Sequence, residues 1–132
     1  MLPTFRTLAV SAAAICFTLA SIWLLAPNVL LDLWAVQYSY PVGLVGRRAA
    51  ALFLGIGVMF YLARDAQPSQ GRNALSIGLS TGCIALAALG IFEFATDHAG
   101  PGIWSAVVIE LALAAAFISS TRGEGVRARK PA

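Results

Sequence analysis

Charged residues are scarce in this chain: Asp, Glu, Lys and Arg make up 11% of its 132 residues, while hydrophobic residues make up 59%. The mean hydropathy is +0.80. Soluble globular domains carry about 25% charged residues, so this composition excludes that class and indicates an integral membrane protein. Because one span needs about 20 residues, the length allows four spans and leaves no room for a separate soluble domain.

The residues of metal and thiol chemistry are equally scarce. The chain has one histidine, His98, and two cysteines, Cys16 and Cys83, with no CxxC pair. A zinc site needs three or four converging ligands, and thiol redox enzymes usually carry paired cysteines, so we expect neither a metal nor a cofactor. The motifs GxSxG, HExxH and GxxxxGK[ST] are missing as well, which favours a protein without catalysis of its own.

What the chain does contain is four long apolar runs, at residues 8–26, 42–64, 73–95 and 103–120. Each is long enough to cross a hydrocarbon core of about 30 Å as a helix. We therefore expect an all-α fold, a polytopic transmembrane four-helix bundle that forms a single domain over residues 1–121. Residues 28–41 are too short to cross and place their polar side chains on one side of a helical wheel, which predicts a short interfacial segment between the first two spans.

Charge in the short connections predicts the orientation. Basic residues collect on one side of a four-span arrangement, at Arg6, Arg64, Arg72 and a basic segment at residues 122–132. The positive-inside rule then places both termini in the cytoplasm of a bacterial inner membrane, with residues 122–132 as a disordered tail. Aromatic residues collect at the opposite end, as in an aromatic belt. The partner that this charge distribution favours is the lipid bilayer, and a nucleic-acid partner is not expected.

Arg47 and Arg48 interrupt the second span in its outer half. An arginine inside a span costs roughly 3 kcal/mol or more on insertion scales. Glu93 and Glu110 fall at a similar depth in the third and fourth spans, so the four residues form a candidate polar cluster. Three interpretations stay open: the arginines reach back to the interface, ion pairs fix the helix packing, or the cluster is a pocket that binds a ligand or carries protons.

Small residues predict where helices approach one another. The second span carries a stripe of Gly43, Gly46, Ala50 and Gly57, and the third carries Gly78 and Gly82 in a GxxxG spacing. Arg47 lies beside the first stripe while Arg48 points almost the opposite way, and the sequence does not decide which of the two faces the bundle interior. The helix that meets the GxxxG face lies either in this chain or in another one, as in a homo-oligomer or a membrane complex.

An arginine early in the second span, followed by Ala50, Ala51, Gly55 and Gly57 in a chain of four-span length, resembles the DoxX-like and neighbouring small four-helix bacterial membrane proteins. The resemblance implies a four-helix fold, and some members of that group are accessory membrane subunits of quinone-linked oxidation. The first span has no acidic residue. That span therefore departs from small multidrug exporters, which carry their essential glutamate there.

These patterns favour a non-catalytic structural or accessory component of the membrane. One alternative is a small-molecule binding or transport protein with a polar pocket in the outer half of the bundle. Another is a membrane subunit of a quinone-linked oxidoreductase.

Overall fold

A computed structural model describes residues 4–128 of the chain, with side chains for residues 4–121. Helix α1 is Phe5–Leu25, α2 is Pro27–Leu33, α3 is Tyr40–Ala63, α4 is Gln70–Ala95, and α5, Trp104–Ala128, follows a 3₁₀ turn at Pro101–Ile103. The described residues contain no strand. Four helical segments, α1, α3, α4 and residues 101–121, are long and apolar enough to cross a membrane. The predicted all-α four-helix fold is confirmed, and α2 lies in the segment where a short helix was predicted.

Three of the long helices begin earlier than the apolar runs because hydroxyl side chains cap them. Thr4, Ser39 and Ser69 stand at the N-caps of α1, α3 and α4, and each side chain accepts a hydrogen bond from the backbone N–H three residues later. A capped N–H no longer needs water, so a helix can start in the polar residues before its span.

Helices α2 and α4 end in the same way, with a residue other than glycine in the left-handed conformation. Ala35 has φ 55° and Asp97 has φ 59°. After α2, Val36 N–H donates to the Leu31 carbonyl at 2.8 Å. After α4, His98 N–H donates to the Glu93 carbonyl at 2.9 Å. These bonds form Schellman caps, in which glycine is the usual residue at the left-handed position. The two capped turns then meet, because Gly100 N–H donates to the Trp34 carbonyl at 2.6 Å.

The four long helices form two closely packed pairs. Helix α1 packs along α3 and α4 packs along α5, while a smaller contact between α1 and α5 joins the pairs. Helix α3 is not a close neighbour of α4 or α5 within the described residues. Consecutive spans α3 and α4 are therefore not packing partners. Helix α1 makes the larger backbone contact between the two halves, and the Phe60 side chain of α3 adds a contact with Phe117 of α5.

One end of the bundle, here called the arginine end, carries Arg6, Arg64 and Arg72. An aromatic cluster joins the helices there: Phe117 packs edge-on against Phe5 and Phe60, at ring-centroid distances of 6.3 and 5.3 Å. The Arg72 guanidinium lies 4.0 Å from the centroid of the Phe5 ring. The cluster thus takes one side chain from each of the four long helices. Arg72 was predicted to lie in a short connection between spans, but it is buried in the first turn of α4.

Residues 122–132 were predicted to form a disordered tail. Helix α5 runs through residues 122–128 of that segment, and residues 129–132 lie outside the described part of the chain. Extending an existing helix needs no new nucleation, and no proline interrupts the sequence before Pro131. The helix can therefore continue past its last apolar turn.

Candidate functional site

Arg47 lies on α3, seven residues after its first residue, in the half of the span nearest to Trp23, Trp34 and Trp104. We call this half the tryptophan end. The Arg47 side chain bends back towards the start of α3: Nε donates to the Gly43 carbonyl at 3.3 Å and Nη2 donates to the Tyr38 hydroxyl at 3.5 Å. Side chains lean towards the N-terminus of their own helix, which here is the direction of the membrane surface.

A groove opens beside this guanidinium, with a volume of about 530 Å³. It lies between the end of α1, the first turn of α2 and the start of α3. Five of its eight lining residues have apolar side chains, and its polar side chains are Arg47, Tyr38 and Asn28. None of its lining residues is acidic. The lining comprises Leu24, Leu25, Ala26, Pro27, Asn28, Val29, Tyr38 and Arg47.

Sequence reasoning missed most of this groove, because only Arg47 was among the candidate residues. Pro27 and Leu30 of α2 are buried, and this packing fixes the wall that carries Asn28 and Val29. The signal in the sequence was the collection of polar residues on one side of the helical wheel in the segment that forms α2. That pattern predicted a helix, but it did not predict the space between the helix and Arg47.

Arg48 occupies the opposite side of α3. It is exposed, it does not line the groove, and it has no hydrogen bond or ion pair within the described part of the chain. A Cβ added at Gly55, which shares its face, would meet no atom of the described residues within 4 Å. Arg47 is therefore the arginine beside the packed face, and Arg48 points away from the bundle.

Glu93 and Glu110 do not reach the arginines. Glu93 pairs with His98 instead, with Oε2 3.1 Å from Nδ1, and both side chains are well exposed. Glu110 is half-buried on α5, between the buried Val107 and Ala114 at helical spacing. Among the described residues, no hydrogen bond or ion pair links Arg47 or Arg48 to either glutamate.

The predicted four-residue cluster is therefore not assembled, for a reason of helix pairing. The depth of each residue along its span was derived from the rise per residue and stays a prediction. The lateral arrangement differs from the prediction, since the arginines lie on α3 and the glutamates on the α4 and α5 pair. The Arg47 side chain bends towards the start of α3, which is the direction that the first of the three interpretations requires.

The small residues fall into two groups. On α3, Gly43, Gly46, Ala50 and Gly57 are all buried. Trp23 of α1 covers Gly46, and Phe17 and Cys16 cover Gly57. On α4, by contrast, a Cβ added at Gly78 or Gly82 would meet nothing within 4 Å among the described residues.

The face that α4 uses inside the bundle is a different stripe of small residues. The hydroxyl groups of its serines donate hydrogen bonds to backbone carbonyls of α4 itself. Ser76 Oγ donates to the Arg72 carbonyl at 3.0 Å, and Ser80 Oγ donates to the Ser76 carbonyl at 2.8 Å. Small side chains let helices approach closely, and a hydroxyl bonded to its own backbone can be buried. The stripe consists of Ser76, Ser80, Cys83, Ala87 and Gly90, all buried.

Among the described residues, no group of three or more His, Cys, Asp or Glu side chains could hold a metal ion. No family model matches the chain, and no curated protein or solved structure matches it either.

Proposed function

We propose that this chain is a non-catalytic accessory component of a bacterial inner membrane that works by association, and that α4 supplies the contact, first of all with a second copy of the chain. The four apolar helices make it a multi-pass membrane protein in contact with the bilayer. The observation that carries the proposal is the open face of α4, where Gly78 and Gly82 lie one turn apart on the outside of the bundle.

The position of these glycines supports an intermolecular role. Helices in a membrane associate through close backbone contact, and the GxxxG spacing is a recurring motif of such contacts. The fold uses the other small-residue stripe on α4, so a Cβ at Gly78 or Gly82 has no contact among the residues that the structure describes. Glycine also lowers helix propensity by about 1 kcal/mol relative to alanine. Contact with a neighbouring chain would account for a pair of glycines that packs against nothing in the described part of its own chain.

Replacing both glycines tests the contact. In the variant Gly78→Ile with Gly82→Ile, both side chains start from positions where a Cβ meets no atom of the described residues within 4 Å, so the monomer is expected to fold. They separate the two backbones at the interface, and we expect the dissociation constant of the dimer in vesicles to rise at least about tenfold. Förster transfer between labelled copies at rising lipid dilution measures this constant.

Gly55→Ile is the matched control, because Gly55 lies in α3 with equally open surroundings. It should leave the dimer unchanged. A wild-type chain that stays monomeric at all dilutions, or a double variant that associates as well as the wild type, would contradict the proposal.

We also propose that the chain is related to the DoxX-like membrane proteins and that both of its termini are cytoplasmic. The DoxX-like kinship is supported by the four-span length and by the Arg47-Arg48 doublet followed by small residues. Cytoplasmic termini are supported by the collection of Arg6, Arg64 and Arg72 at one end, where Arg6 and Arg64 both pair with Asp65, at 3.2 and 3.4 Å. Small-molecule binding is favoured by the groove beside Arg47, whereas nothing in the described residues favours a quinone-linked subunit.

A further inference from the structure

We propose that the groove beside Arg47 is a binding site for the head group of an anionic phospholipid, with the Arg47 guanidinium on the phosphate and the acyl chain against Leu24, Leu25 and Val29. This site lies on α1, α2 and α3. It is separate from the α4 face, and the inference does not depend on the association proposed above.

Arg47 has N–H donors that are available to a ligand. A guanidinium has five N–H donors. The protein takes up two of them, at the Gly43 carbonyl and the Tyr38 hydroxyl, over long distances of 3.3 and 3.5 Å. Three donors therefore lack an acceptor among the described residues. A guanidinium held by two of its donors presents a pre-oriented fork, and that fork matches the spacing of two phosphate oxygens.

The lining of the groove selects the kind of anion. Its charged residue is a cation, its other polar side chains are Tyr38 and Asn28, and it contains no acidic residue. Leu24, Leu25 and Val29 are more than half exposed, at 56%, 81% and 57%. A soluble phosphate ion leaves such apolar walls uncovered, whereas a phospholipid covers them with its own chain. The volume of about 530 Å³ is within the range of small-molecule sites.

The depth of the groove fits the same ligand. Arg47 lies about 10 Å along α3 from the start of the helix and bends back towards that start. Tyr38 accepts a hydrogen bond from Arg47, and Trp23 covers the neighbouring Gly46; both are aromatic residues of the kind that mark the head-group level. We therefore expect the guanidinium at the level of the lipid phosphates.

The groove is also held in shape before any lipid enters. Helix α2 forms one wall, and the burial of Pro27, Leu30 and Leu31 fixes it against the bundle. The hydrogen bond from Gly100 N–H to the Trp34 carbonyl links the end of α2 to the connection between α4 and α5. A preformed wall lowers the entropic cost of ordering a site on binding.

Arg48 provides the control for ordinary attraction of lipid to arginine. It has the same charge and lies at nearly the same depth, but it is outside the groove. The test is native mass spectrometry of the full-length protein from detergent, with phosphatidylglycerol and phosphatidylcholine added in equal amounts. We expect the wild type and Arg48→Gln to retain phosphatidylglycerol preferentially. In Arg47→Gln, the ratio of bound phosphatidylglycerol to bound phosphatidylcholine should fall about tenfold.

Two further variants keep the test decisive if Arg47→Gln does not fold. Arg47→Lys keeps the charge without the fork, and it should retain part of the preference. Asn28→Asp keeps the shape of the groove and adds a negative charge beside Arg47, so it should lower the preference as Arg47→Gln does. An equal loss of the preference for phosphatidylglycerol in the Arg47 and Arg48 variants would contradict the proposed site. Displacement of the lipid by millimolar inorganic phosphate would overturn a phospholipid as its ligand.

Discussion

Replacing Phe117 by alanine should cost about 3 kcal/mol of unfolding free energy, the largest effect that we expect from one truncation in this chain. The Phe117 ring is completely buried and packs against Phe5 and Phe60. Lipid gives no hydrophobic driving force between helices, so van der Waals contact in such clusters is what holds the bundle together. The cavity left by alanine removes contacts with α1 and α3 at once.

Unfolding in mixed micelles, followed by tryptophan fluorescence during titration with dodecyl sulfate, measures this loss. Phe92→Ala is the matched control, since Phe92 on α4 is 58% exposed. That variant should lose less than about 0.5 kcal/mol, the usual range for surface substitutions. Similar losses in the two variants would mean that the aromatic cluster does not join the helices as described.

The substitution Gly102→Ala should have the second large effect, a loss of about 2 kcal/mol within the usual range for overpacking. A Cβ at Gly102 would collide with the Leu33 carbonyl oxygen at the end of α2. That atom belongs to the backbone and cannot rotate away. The clash therefore pushes apart the two connections at the tryptophan end, including the bond between Gly100 and Trp34.

Gly71→Ala is the control for this substitution, because a Cβ there meets only the Ser69 hydroxyl oxygen at 4.0 Å. Gly71 lies in the first turn of α4, and alanine has a higher helix propensity than glycine. The unfolding free energy of the Gly71→Ala variant should therefore rise by about 0.5–1 kcal/mol. The same titration compares both variants. A neutral Gly102→Ala would show that the two connections do not touch.

The spans, the short helix α2 and the packed face of α3 followed from the sequence. Hydropathy and length determine where helices cross, because an unpaired backbone cannot remain in hydrocarbon. Gly43, Gly46, Ala50 and Gly57 were also identifiable, since they form one clear stripe of small residues. These features depend on local sequence only.

The packed face of α4 could not be chosen in the same way, because that helix has two stripes of small residues. Gly78 and Gly82 match the familiar motif more closely than Ser76 and Ser80 do. The serines pack inside because each hydroxyl bonds to its own helix, which removes the penalty for burying it. Which stripe meets α5 is a property of the assembled bundle.

The arginines and glutamates illustrate a second limit. Rise per residue gives their depth, but depth alone does not say which helices are neighbours. Connection lengths would have allowed α3 to pack on α4, yet α1 packs on α3 instead. Trp23 over Gly46 and Phe17 over Gly57 show the basis of that pairing, large side chains of α1 against small residues of α3. Such long-range complementarity is not visible in one span alone.

The central claim is that α1 and α3 form one pair and α4 and α5 the other, which keeps Arg47 apart from Glu110. Disulfide trapping tests it most directly. A Cβ at Gly57 lies 3.3 Å from Cβ of Cys16, close to disulfide geometry, and the Phe17 ring, whose Cε1 is 2.7 Å from that Cβ, must turn aside to admit it. We therefore predict that Gly57→Cys, with Cys83 replaced by alanine, forms a disulfide with Cys16 on oxidation in native membranes. The variant Arg47→Cys with Glu110→Cys, lacking both natural cysteines, should stay reduced. Rapid, complete intramolecular trapping of that second pair, with no disulfide at Gly57, would contradict the account.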